Sequence, residues 1–211
     1  MLESRLLQHI YHRSADLRES HPHVLIGPGD DCAVLLTPPA SLLKVDQLIE
    51  GVHFSCDTPI DLIARKAIAR TLSDIAAMAG TPIAALAACV LPKGYPSHTA
   101  HALFDAVAKW GKHWNAPVIG GDIASHTDDH APLTLCINII GEPHAKRGPV
   151  LRSTTQEGDH VYVTGALGGS LGEGFQGRHL TFSPRLTEAA FLADTLGESL
   201  HAMMDISDGL G

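Results

Sequence analysis

An apolar run over residues 83–91, closed by Pro92, lies between two segments of helical period, residues 60–79 and 97–114. A core strand flanked by two packed helices commits the chain to layers of sheet and helix. The remaining segments extend that scheme. Residues 2–20 carry Leu2, Leu6, Leu7 and Ile10 at helical spacing. Residues 32–36 and 41–45 read as short strands, and the two prolines between them suggest a hairpin-like connection. Residues 118–119 form a short strand entering Gly120-Gly121-Asp122, and residues 133–140 a further strand. Asp57 or Thr58 is a candidate cap for the helix over 60–79. The order α, β, β, α, β, α, β, β predicts a mixed α/β fold of the α+β type, with antiparallel pairing rather than a regular βαβ alternation.

Residues 141–158 are rich in glycine, proline and charge, which puts a domain boundary there: residues 1–142 and residues 143–211. A new strand over 160–164, a short helix near 168–176 and a helix near 184–196 follow. Ser207 and Asp208 have the character of a helix N-cap. A helix opening at the last residues suggests a chain cut part-way through its second domain.

Charge and composition narrow the function classes. A formal net charge of −8 gives a nucleic-acid partner no electrostatic support. The cysteines at 32, 56, 89 and 136 lack CxxC spacing, which suggests a reducing compartment, hence the cytoplasm. The opening MLESRLLQHIYHRS reads as an amphipathic helix rather than a signal peptide, and no apolar run reaches membrane-spanning length. The 14 histidines are scattered without ligand-pair spacing, so a metal-storage role has no motif behind it.

The chemistry resides in aspartates set beside glycines or at strand ends. Asp30 and Asp31 follow Gly29, Asp46 ends a strand, Asp122 follows two glycines, and Asp205 and Asp208 flank Ser207. Asp74 lies in a largely apolar helix, where it either faces solvent, caps a group or binds a cation, because burying it unpaired is costly. Gly-Gly-Asp most often means a plain turn, but paired glycines also let backbone N–H groups approach a phosphate while the carboxylate holds Mg²⁺. Mg²⁺ takes oxygen ligands from separate elements, so several such sites together carry more than any one. Competing nucleotide motifs are absent. Residues 172–177 fit GxGxxG but do not directly follow a strand or open a long helix, and no GxxxxGK[ST], HRD, DFG or GxSxG occurs.

Six stretches carry a resemblance: GDDCAVL (29–35), VDQLIEGVHF (45–54), KAIARTLSDIAAMAGTP (66–82), GGD (120–122), LRSTTQEGDHVYVTG (151–165) and MDISDGL (204–210). Together they resemble the thiamine-monophosphate kinases, within the superfamily of aminoimidazole ribonucleotide synthetase, selenophosphate synthetase and the hydrogenase-maturation dehydratase. EGVHF is the discriminating piece. The resemblance implies an N-terminal mixed-sheet domain with flanking helices, whose strands form a barrel with a second subunit, and part of a second α/β domain. It implies a homodimer that moves the γ-phosphoryl group of ATP directly onto thiamine monophosphate, with several Mg²⁺ ions, and no nucleic-acid or membrane partner. Carried over residue by residue, Asp31, Asp46, Asp74, Asp122, Asp205 and Asp208 match metal ligands. Gly121, Asp122, Arg152 and Ser207 match ATP contacts, with Phe104 at an aromatic position near the nucleotide, and His53 matches a contact to thiamine monophosphate. Core packing is the competing reading for Phe104. Lys44 and Val45 stand where the family usually has hydroxyl residues, and Lys44 can supply part of the missing charge if it faces inward. The alternatives are a superfamily member acting on another small acceptor, or a nucleotide-binding fragment with impaired catalysis.

Overall fold

The computed structural model describes residues 2–30, 32–207 and 209. Its elements follow in the order α1 (Leu2–Arg13), α2 (Leu17–Ser20), β1 (Val24–Ile26), β2 (Val34–Leu35), β3 (Leu42–Ile49), α3 (Ile60–Ala77), β4 (Thr81–Leu91), α4 (Ser97–His113), β5 (Val118–Ser125), β6 (Thr134–Glu142) and α5 (Leu186–Leu196). The expected mixed α/β architecture is present. A four-stranded sheet has the order β3-β6-β4-β5, and β1 and β2 form a separate two-stranded sheet. Pairing is antiparallel except for β4 with β5, which run parallel because α4 crosses between them.

One face of the large sheet carries the core. Leu48 of β3, Ala87, Cys89 and Leu91 of β4, and Leu135, Ile137 and Ile139 of β6 pack with Ile68, Leu72, Ile75, Leu103 and Val107 of α3 and α4. Alternation along the strands sends their neighbours to the other face. There Leu43 is 76% exposed and Val45 53% exposed. Part of that second face is covered by a smaller cluster in which Leu17, Val24 and Leu35 meet Ile83 and Ile119.

Several expectations are corrected. The helix over 2–20 breaks between Arg13 and Leu17, where Leu17 N–H donates to Ser14 O at 3.1 Å. Leu6 and Leu17 are buried in different clusters. The strands near 32–36 and 41–45 are not a hairpin. β2 pairs back onto β1, and β3 joins the large sheet through β6. Neither Asp57 nor Thr58 caps α3: its N-cap is Pro59, and Thr58 Oγ1 instead accepts from Ser55 N–H at 3.1 Å. The short strand at 118–119 continues to Ser125, because parallel pairing with β4 satisfies its backbone past the glycines. No strand forms over 160–164. Val161 and Tyr162 are 88% and 86% exposed, and a strand is stable only beside a pairing partner. The helix near 168–176 reduces to a 3-10 turn at Glu173–Phe175, because Gly168, Gly169, Gly172 and Gly174 all adopt positive φ.

After β6 the chain lies against α3. Leu180 and Leu186 pack on the main core, and Val150, Ala193 and Leu200 bury Ala79. Among the described residues no helix is long and apolar enough to cross a membrane.

Candidate active site

The helix-facing side of edge strand β3 should continue the apolar core, yet between Leu42 and Leu48 it carries Lys44 and Asp46. Both meet a polar stripe on α3. Lys44 Nζ lies 3.0 Å from Asp74 Oδ2 and 3.6 Å from Asp46 Oδ1, and Arg70 Nε lies 3.7 Å from the same Asp46 oxygen. Arg70, Ser73 and Asp74 follow the i, i+3, i+4 spacing that puts side chains on one helix face. Asp205 arrives from the C-terminal segment, accepts a hydrogen bond from the Ser73 side chain and feels the charge of Asp74. Asp46, Asp74 and Asp205 therefore share one corner of the fold. The Asp74 side chain faces the Lys44 ammonium, not only solvent.

Electrostatics set this corner apart. Burial raises the Asp46 pKa, and Asp74 adds to the rise, while Lys44 and Arg70 oppose it. Burial likewise raises Asp205, with Asp74 reinforcing and Ser73 and Lys44 opposing. For Lys44, burial works against the charge, but Asp74 and Asp46 outweigh it and its pKa rises. Asp46 Oδ2 is buried without a hydrogen-bond donor. Carboxylate oxygens from separate elements are the ligands Mg²⁺ takes, and an unpartnered buried oxygen among them fits a hard cation. Among the described residues no three acidic, histidine or cysteine side chains are already gathered around one metal position. A lysine stands between two of the carboxylates instead.

His53 lies in the turn that follows β3, and its Nδ1 accepts from Ile49 N–H at 3.0 Å. Its carbonyl oxygen accepts from Lys66 Nζ at 2.5 Å, and the same ammonium reaches His179 Nδ1 at 2.6 Å. Lys66 is buried, and desolvation with the nearby Arg70 charge lowers its pKa to about 8. Burial, Arg70 and Lys66 together push the His53 pKa down. Sequence reasoning passed over Lys66, Arg70 and His179. The signal for the first two was two cations four residues apart in a helix of otherwise apolar period.

Gly121 and Asp122 are elsewhere. In ladder register, Asp46 lies in one row with Ile137, Ala87 and Gly121, and Gln47 in the next with Cys136, Ala88 and Asp122. Directly opposed residues share a face, so Asp46 faces the helices and Asp122 the other side. The two carboxylates are also on opposite edges of the sheet, three strand spacings or about 14 Å apart. Gly121 is required by close approach: a Cβ there would lie 1.8 Å from Ala87 O. Arg152 begins an exposed 3-10 turn, and Ser207 is exposed. Phe104 is 9% exposed within the main core, so its ring serves packing. Asp31 and Asp208 lie outside the described residues.

Residues 29–142, more than half of the chain, match the family model described as AIR synthase related protein, N-terminal domain. The thiamine-monophosphate kinase of Rhodopirellula baltica is 35% identical over 218 residues, covering 99% of this chain and 64% of that protein. This chain thus spans just under two thirds of that relative's length. Among solved structures, the thiamine-monophosphate kinase of Stenotrophomonas maltophilia superposes with a TM-score of 0.75 at 25% identity, over 96% of this chain and 68% of that one. AaThiL complexed with AMPPCP and TMP superposes with a TM-score of 0.68 at 27% identity, over 81% and 57%.

Proposed function

The chain belongs to the AIR synthase related protein family, and on that premise we propose that it is an ATP-dependent kinase phosphorylating thiamine monophosphate to thiamine diphosphate. The observation that carries this reading is the convergence of Asp46, Asp74 and Asp205 on one corner, one turn away from His53. The likeness to AaThiL complexed with AMPPCP and TMP supports an adenine nucleotide and a thiamine phosphate as the two substrates. Residues 1–142 make the ATP- and Mg²⁺-binding domain, and residues 143–211 belong to a second unit that supplies Asp205 and Ser207.

In this reaction no covalent enzyme intermediate is needed, and catalysis consists of positioning and charge neutralisation. Asp46, Asp74 and Asp205 would hold Mg²⁺, which would supply charge screening for the nucleotide's phosphates. Asp31, Asp122 and Asp208 are the further ligands carried over from the family. Arg152 suits phosphate oxygens through its planar guanidinium, and Gly121 and Asp122 are carried over from the family as its phosphate-side loop. His53, its Nδ1 accepting from Ile49 N–H and its carbonyl from Lys66, is the residue that would contact the acceptor.

We also propose a homodimer. The open face of the sheet leaves Leu43 and Val45 in solvent, and a second copy stacked on it would bury them. Its four cysteines are free thiols, which supports a cytoplasmic location.

Isothermal calorimetry with a non-hydrolysable ATP analogue, with and without Mg²⁺, tests the reading. Binding that requires Mg²⁺ is the expected result. Equal binding without the metal, or no binding in either condition, would overturn it.

A further inference from the structure

We propose that Lys44 is a tethered cation occupying the place of one divalent ion in the acidic corner, so that this chain pre-assembles its carboxylates without metal and takes up fewer Mg²⁺ ions. The inference rests on the reading that Asp46 and Asp74 are metal ligands, and it concerns how many ions they take.

The geometry is that of a bridge. Lys44 Nζ contacts Asp74 on α3 at 3.0 Å and Asp46 on β3 at 3.6 Å, joining two elements in the way a shared cation joins separate ligands. An ammonium does this at N–O distances near 3 Å, where Mg²⁺ would demand about 2.1 Å and a closer approach of the two carboxylates. The charge balance agrees. Three carboxylates (Asp46, Asp74, Asp205) face two fixed cations (Lys44, Arg70), leaving one unit of negative charge. Removing Lys44 leaves two units, the charge of one Mg²⁺. Being part of the chain, the lysine is present at any metal concentration, whereas a bound ion depends on supply. Asp46 Oδ2 has no donor and stays available to an ion beside the lysine.

The test compares wild-type protein with Lys44→Thr, Lys44→Met and Lys44→Arg, reading melting temperature and Mg²⁺ binding by calorimetry in the absence of nucleotide. Without metal, the Thr and Met variants should melt lower than wild type by roughly 2–5 °C, the scale of a modest stability loss in a chain of this size. Saturating Mg²⁺ should restore that loss in the Thr variant, whose hydroxyl can ligate. Its Mg²⁺ stoichiometry should rise by one ion, or its affinity about tenfold, the order of one extra unit of charge at a partly buried site. Lys44→Arg should stay close to wild type. Wild-type stoichiometry and affinity in both the Thr and Met variants would overturn the proposal. Asp74→Asn separates the two readings: if Mg²⁺ binds wild type but not this variant while the Lys44 variants change nothing, only the tethered-cation inference falls. If Mg²⁺ binds none of the proteins even with the non-hydrolysable ATP analogue present, the kinase reading falls with it.

Discussion

Two carboxylates on one sheet have opposite circumstances. Asp46 sits on edge strand β3 facing the helices, half-buried, with Lys44 and Arg70 within 3.7 Å. Asp122 sits on edge strand β5, one row further along and on the other face, exposed and with no ion pair among the described residues. A charge taken into the fold has to be met by fixed opposite charges, and the fold supplies them from α3 and β3. A charge on an exposed edge has no such requirement, so only a ligand or a second molecule gives it a role. The inner corner is thus built by the chain, and the outer edge awaits something from outside.

Substitutions can break or sharpen that contrast. The largest effect belongs to the outer edge, but through backbone: Gly121→Val puts a side chain into Ala87 O and should cost about 3 kcal/mol or more in urea denaturation. A loss below about 1 kcal/mol would show that β5 adjusts freely and that the edge is not fixed by close approach. Lys66→Met removes the donor to His53 O and His179, and about 1.5–3 kcal/mol of stability should go with it. The gap should widen as pH rises from about 8 towards the unfolded value of 10.5, because over that range the folded wild type has released a proton that its unfolded chain still holds, and wild-type stability rises.

A third prediction concerns pH. Asp46 and Asp205 have raised pKa values in the folded state, so the native protein holds protons there more tightly than the unfolded chain does. Their stability contribution is present in full below the unfolded value of 3.8 and is lost as pH rises through the raised folded values. Asp205→Asn should flatten that decline and, without metal, raise the melting temperature at neutral pH by about 1–2 °C. A fall instead would mean that Ser73 and Lys44 stabilise the carboxylate more than burial opposes it. The smallest effect is expected at Asp122→Asn: stability within about 0.5 kcal/mol of wild type, with Mg²⁺–nucleotide affinity reduced. Unchanged affinity would remove Asp122 from the metal assignment.

Much of this was readable from residues. The helices α3 and α4 and the strands β4 and β6 follow directly from apolar period and length, because their faces are buried by local design. β1 and the true partner of β2 were not readable, since three-residue strands are chosen by what they cover, here Ile83 and Ile119. Glycine in β5 looked like an end and is an interior, because a neighbouring strand can demand the missing side chain as easily as a turn can. At the site, the spacing of LSD and the aspartates was visible, but not that Asp46 and Asp122 would face apart. Facing is a matter of register, which depends on pairings between distant segments. Lys66 was invisible for a related reason: its partners, His53 and His179, come from both sides of it in the chain.

The pairing of β3 with β6 has a consequence in time. Lys44 pairs with Ile139, far along the chain, whereas β4, α4 and β5 are neighbours in sequence. Closing so long a loop is entropically the harder step, so the ladder between β3 and β6 should form after the parallel β4–β5 unit. The acidic corner comes into being with that late closure. A ribosome-bound or partly folded chain would have its β4–β5 edge before its acidic corner, which is complete only once β3 and β6 have met.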